Sequence, residues 1–290
     1  MKKEVSQVNS FLSIMDNWED YFQNPYEGLG TSYERFILHK LFEEIDKEFS
    51  ISSVLEAPSF GMTGISGINS LWWSGNGKKV IISDDNKKRV DSIKKTWNDL
   101  DYAFSPILTD IQTLPYKTAC VDLVWNFAAL WFLKDVSQFA ESAKEIARKA
   151  IFICVPNDMG IGYQIRKNFM DIPKELNLDF IKPKLIKEAF EGKGWVLWKH
   201  GLFDIPPWPD IPMKKEDLLD KLHLGFLLKI KRKKSNIDQN NSHESVLDFF
   251  SNKKPEMEDE VLRFNFLEKF PKPFKILWGH HRYFVFKRNP

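Results

Sequence analysis

An α/β fold with a mostly parallel sheet of seven strands follows from two features of the sequence. From Ser53 onward short apolar runs alternate with segments of helix length, the pattern of successive βαβ units. The first of these runs ends in a carboxylate and a glycine-containing turn, Glu56-Ala57-Pro58-Ser59-Phe60-Gly61-Met62-Thr63-Gly64. Such a strand–turn–helix passage presents backbone N–H groups at the carboxyl edge of a sheet, where open α/β folds take their ligands.

The strands are expected at Ser53–Leu55, Lys79–Ser83, Ala103–Leu108, Val121–Phe127 and Ala150–Pro156, with two more at Gly194–Phe203 and Ile276–Lys287. Between them the pattern predicts helices at 64–74, 86–99 and 135–148, the last capped by Asp135. Pro183 opens a further helix to Glu191, because a first-turn proline needs no N–H. Ahead of the sheet, residues 5–24 read as one helix. Residues 31–49 read as a second, with Phe36, Leu38, Leu41, Phe42, Ile45 and Phe49 at three- and four-residue steps and Thr31 and Glu34 as a capping box.

This divides the chain into a helical cap at 1–50, a core at 51–204, an insertion at 205–275 and a closing strand at 276–290. The insertion opens on Ile205-Pro206-Pro207-Trp208-Pro209, continues through an apolar segment at 216–230 and reaches Lys231-Arg232-Lys233-Lys234. It reads as a lid with a flexible middle.

Composition removes several classes of function. With 42 Lys and Arg against 40 Asp and Glu, the net charge of +2 supplies no global field for nucleic acid. Cys120 and Cys154 are too few for the common thiolate zinc sites, so no metal is expected and a reducing cytoplasm is the expected setting. No apolar window reaches the roughly 18 residues of a membrane span.

Further acids follow the first in a telling order. Asp84, with Asp85 beside it, closes the second strand 20 residues after Gly64, near the spacing at which an acid meets a ribose. Asp110 and Ile111 follow the third strand, then Leu114-Pro115-Tyr116 and Val121-Asp122-Leu123-Val124-Trp125-Asn126.

With these motifs, residues 31–157 resemble the class I S-adenosylmethionine (SAM)-dependent methyltransferases. The resemblance implies a Rossmann-like sheet with an antiparallel last strand and SAM as cofactor. It implies that Glu56, Gly61 and Gly64 hold the amino-acid end of SAM, that Asp84 holds the ribose hydroxyls, and that Asp110 with Ile111 holds the adenine. Ser59 and Thr63 in the same loop, Asp85, and Asn126 at the end of the fourth strand join that set. The loop departs from the family pattern: Pro58 and Phe60 stand where glycines are usual, and it is about two residues longer.

The alternatives are an NAD(P)-dependent oxidoreductase and a non-catalytic SAM-binding regulatory protein. Gly61, Gly64 and Gly67 are evenly spaced and do not form G-x-G-x-x-G. Tyr163 and Lys167 form a Tyr-x-x-x-Lys pair, read as helix surface. Methyl transfer from a sulfonium needs no obligatory base, and the candidates for one are His200, His280, His281, Tyr26 and Tyr116. Tyr26, Gly28 and Thr31 precede the second helix, a region that closes over the cofactor in many relatives of this type. After Asn126 the sequence lacks the Pro-Pro-aromatic step of amino-methyltransferases of nucleic acid. The expected acceptor is therefore a small molecule or lipid, with Trp72, Trp73, Trp125, Trp131, Trp195, Trp198 and Trp208 as candidates for an apolar pocket. Residues 216–234 are a candidate for peripheral membrane contact.

Overall fold

The computed structural model describes residues 29–59, 67–169, 176–205 and 246–289. Its centre is one seven-stranded sheet in the order β3-β2-β1-β4-β5-β7-β6. The strands are β1 (Ser53–Glu56), β2 (Lys79–Asp84), β3 (Ser105–Leu108), β4 (Val121–Phe127), β5 (Ala147–Pro156), β6 (Trp195–Phe203) and β7 (His281–Arg288). β1 to β5 pair in parallel, and β7 lies antiparallel between β5 and β6. The expected Rossmann-like sheet with its antiparallel last strand is what forms.

Alternation along the strands shows why the sheet carries helices on both sides. In β5, Ile151, Ile153 and Val155 belong to one apolar cluster, while Ala150, Phe152 and Cys154 belong to the other. β7 divides likewise, with Phe284 and Phe286 on one face and Tyr283 and Val285 on the opposite one. Successive side chains in a strand point to opposite faces, so each strand feeds two cores. The first face is covered by α4 (Val136–Ile146) through Phe139 and by α6 (Pro183–Phe190) through Phe190. The second is covered by α1 (Leu29–Phe49), α2 (Leu71–Gly75) and α3 (Lys87–Asp99), through Phe42, Trp73 and Trp97.

Boundaries differ from the sequence expectation in instructive ways. α1 begins at Leu29, so Thr31 lies inside the helix and does not cap it. Asp135 does cap α4, its carboxylate accepting from the backbone N–H of Ser137 and Gln138. That helix stops at Ile146 because Ala147 pairs with Val121, which draws Ala147, Arg148 and Lys149 into β5. The closing strand begins at His281, not Ile276. Lys272–Trp278 instead forms a short helix, α9, with a proline in its first turn. α5 (Ile161–Phe169) carries Tyr163 buried in the core and Lys167 exposed, so Tyr163 is not the surface residue expected.

Part of the insertion is described. α7 (Val246–Phe250) and α8 (Met257–Val261) bury Val246, Phe250, Met257 and Val261 in the cluster that includes α1. Phe249 meets the edge of Phe36 at 4.8 Å. The helix expected at 5–24, the segment 216–234 and Trp208 lie outside the described residues.

Gly67 is where the chain re-enters the described structure after the glycine turn. Its φ is +71°, and an added Cβ would stand 3.0 Å from Ile93 Cδ1. Its carbonyl accepts a 3.0 Å hydrogen bond from the buried Trp97 indole. Gly67→Ala is therefore expected to lower stability by about 1–3 kcal/mol from strain at positive φ, read as a lower urea midpoint with an unchanged slope.

Candidate functional site

The strand order reverses direction between β1 and β4, and at such a switch point the connections leave opposite faces and open a crevice at the carboxyl rim. Glu56, Asp84 and Asp110 stand at the ends of, or just beyond, β1, β2 and β3, which are consecutive in the sheet. Two strand spacings separate the outer pair, about 10 Å.

Glu56 is buried, and its Oε2 accepts a 2.5 Å hydrogen bond from the Ser70 hydroxyl. The Trp125 indole N–H donates to Ser70 Oγ at 3.1 Å and so fixes the direction of that donor. Burial is the main cause of a Glu56 carboxyl pushed up to about 8, with the Asp84 charge adding to the rise. Ser70 and the nearby Arg35 guanidinium act in the opposite direction. At neutral pH the free protein holds this acid mostly protonated.

Asp84 sits in a different environment. Its carboxylate takes Arg89 Nε at 3.0 Å to both oxygens and Arg89 Nη2 at 2.7 Å. The Asn86 N–H (2.8 Å) and the Ser59 hydroxyl (2.5 Å) donate to it as well. Arg89 Nη2 also reaches Asp85 Oδ1 at 3.0 Å. Asp84 and Arg89 are essentially inaccessible to solvent. A sugar hydroxyl arriving here therefore has to exchange with the Ser59 hydroxyl or share the carboxylate with Arg89.

Asp110 is half-buried and folds back on its own turn, accepting from Gln112 N at 2.8 Å and Thr113 Oγ1 at 2.8 Å. The Ile111 side chain is fully buried in the first apolar cluster. Asn126 is also buried. Its amide donates to Ala57 O and Pro58 O at 3.3 and 3.2 Å, and its oxygen accepts from Ala129 N. It thereby binds the end of β4 to the chain leaving β1. Gly61, Thr63, Gly64 and Tyr26 lie outside the described residues.

The remaining expected residues separate. Tyr116 pairs its hydroxyl with Ser83 beside Asp84. His200 is exposed, with its ring stacked on Phe284 at 6.2 Å, three residues back from the end of β6. His280 and His281 converge on one oxygen, Asp204 Oδ2, at 3.0 and 3.1 Å. Of the tryptophans, Trp73, Trp125, Trp131 and Trp195 are core, and Trp72 and Trp198 are half-buried. Asp122, although part of the motif, lies at the amino end of β4. Ser52, Arg148 and Lys149 hold its carboxyl down at about 2 against the opposing effect of burial.

Sequence reasoning missed Arg89, Ser70, Arg35 and Asp204. Only the first had a local signal, since Asp85 and Arg89 are spaced i,i+4 at the start of α3.

Residues 61–154, running from the glycine turn into β5, match the family described as a methyltransferase domain. The match takes in about a third of the chain. The plantazolicin methyltransferase BamL, solved with a triazolic desmethylPZN analogue and S-adenosylhomocysteine (SAH), superposes with a TM-score of 0.50 at 13% identity. That alignment covers 89% of this chain and 86% of that one, and it shows a shared fold. A SAM-dependent methyltransferase from Aquifex aeolicus aligns with a TM-score of 0.42 at 17% identity, over 55% of this chain and 81% of that one. TehB from Haemophilus influenzae aligns at 0.42 and 21% identity, over 56% and 52%. No curated protein matches the chain in sequence.

Two outcomes follow for this site. Asp84→Ala removes the carboxylate that the buried Arg89 guanidinium meets through both Nε and Nη2, so it should cost about 3–5 kcal/mol in chemical denaturation. Ser59→Ala, which removes one neutral donor, should cost about 1 kcal/mol. Similar losses for the two would show that Arg89 is not held through Asp84. The free protein should also lose stability as pH rises from the ordinary carboxylate range through about 8, because unfolded glutamate ionises there while folded Glu56 resists. Glu56→Gln should flatten that part of the stability–pH profile.

Proposed function

We propose that this chain is a SAM-dependent methyltransferase that passes the methyl group to a small-molecule or lipid acceptor by in-line displacement. The observation that supports it most is the placement of Glu56, Asp84 and Asp110, in chain order, at three consecutive parallel strand ends beside the β1/β4 switch point. The methyltransferase-domain match, over residues 61–154, takes in Asp84 and Asp110.

The residues fit the cofactor best at Glu56, a buried acid whose ionisation is opposed by burial and favoured by any cation brought beside it. Glu56 with Ser70 would hold the ammonium end, Asp84 with Ser59 the ribose, and Asp110 with Ile111 the adenine. When bound, SAM supplies a methyl group on a positively charged sulfur, so the chemistry needs little covalent help from the protein. What remains for the chain is to align the nucleophile and exclude water. The apolar enclosure at the end of β4, from Phe127 through Phe132, serves the second purpose.

Calorimetric titration of the full chain with SAM and SAH tests the reading. Stoichiometric binding of both is expected, and binding of NAD(P) in their place would overturn it. Glu56 adds a sharper expectation. Ionisation of this carboxyl on meeting the ammonium should release up to one proton per cofactor at pH 7, about half a proton at about pH 8, and almost none above about pH 9. Repeating the titration in buffers of different ionisation enthalpy measures that proton, and Glu56→Gln should abolish it.

A further inference from the structure

The rim holds a second polar cluster on the other side of β4, assembled from three separate elements. Glu34 comes from α1, Asp204 directly follows β6, and His281 is the first residue of β7. Each is buried, and one donor atom from each lies within 4.8 Å of the others. His281 Nδ1 stands 3.1 Å from Asp204 Oδ2 and 3.6 Å from Glu34 Oε2. Donors bound to one ion at about 2.0–2.2 Å stand about 3–3.5 Å apart, and the two distances from His281 Nδ1 lie close to such an edge.

A further observation favours a cation here. Asp204 is 1% exposed, and its second oxygen, Oδ1, has no hydrogen-bond partner among the described residues. A buried carboxylate oxygen without a donor is costly and is commonly explained by an ion or water. His280 holds the Asp204 carboxylate from the side through Oδ2 at 3.0 Å, the kind of support that orients a ligating group.

We propose that Glu34, Asp204 and His281 form a binding site for one divalent first-row ion, manganese or zinc. Two carboxylates and one imidazole suit those ions better than the all-oxygen shells that calcium and magnesium favour. The site does not depend on the methyltransferase reading. It lies beside Phe127 at the end of β4, whose ring centroid is 4.9 Å from that of His281. It therefore stands at the same edge of the sheet as Glu56, where β4 and β5 end and β7 begins.

The test uses the full chain, freed of metal by chelator and titrated calorimetrically with MnCl2, ZnCl2 and MgCl2 in the absence of SAM. One equivalent of manganese or zinc should bind at micromolar concentration, with magnesium at least tenfold weaker. Asp204→Asn and His281→Gln should each weaken binding at least tenfold, while His200→Gln leaves it unchanged. Circular dichroism establishes that each variant is folded. Should Asp204→Asn fail to fold, Glu34→Gln carries the same expectation. No binding tighter than millimolar to the wild-type chain, or equal binding by the folded variants, overturns the site. The SAH titration is separate, so metal binding without SAH binding would remove the methyltransferase reading and leave this one standing.

Discussion

A parallel strand buried on both faces has no room for polar side chains along its length, so its chemistry collects at its ends. β4 shows the constraint at full strength, since all seven of its residues are buried. Asp122 at one end is held by Ser52, Arg148 and Lys149, and Asn126 at the other is held by the backbone of Ala57 and Pro58. With helices on both faces, the carboxyl rim becomes the edge along which Glu56, Asp84, Asp110, Asp204 and His281 stand in two groups on either side of β4. Both the proposed cofactor cradle and the proposed ion site are consequences of that geometry.

The acids at the rim are in contrasting electrostatic states. Asp84 is compensated within the protein by a buried guanidinium, so its charge is already balanced. Glu56 is stabilised chiefly by a neutral hydroxyl, and burial raises its pKa. The structure therefore separates a pre-paid anchor, which holds Ser59 just after β1, from a responsive acid whose charge depends on what arrives. A charged ligand gains most by meeting the second kind of group.

The two histidines beside one another in sequence, His280 and His281, look like independent candidates until the fold places Asp204 between them. From Asp204 to His281 is 77 residues, and no periodicity or spacing rule connects positions that far apart. By contrast, the strands and the capping role of Asp135 depend on local pattern, and both were legible. Where local expectation failed, pairing or packing had overridden it. Ala147 left its helix to complete the β4–β5 ladder, and Tyr163 turned into the core between α5 and the sheet.

The sequence alone determined the class of fold, the order of most strands and helices, and the chain positions of the three acids. These rest on apolar periodicity, turn chemistry and short-range spacing, which act between near neighbours. The tertiary structure decided which of those acids is already neutralised, which is held protonated, and which distant side chains share a buried volume. Charge state depends on desolvation and on partners brought together by packing, and neither exists until the sheet has closed around them.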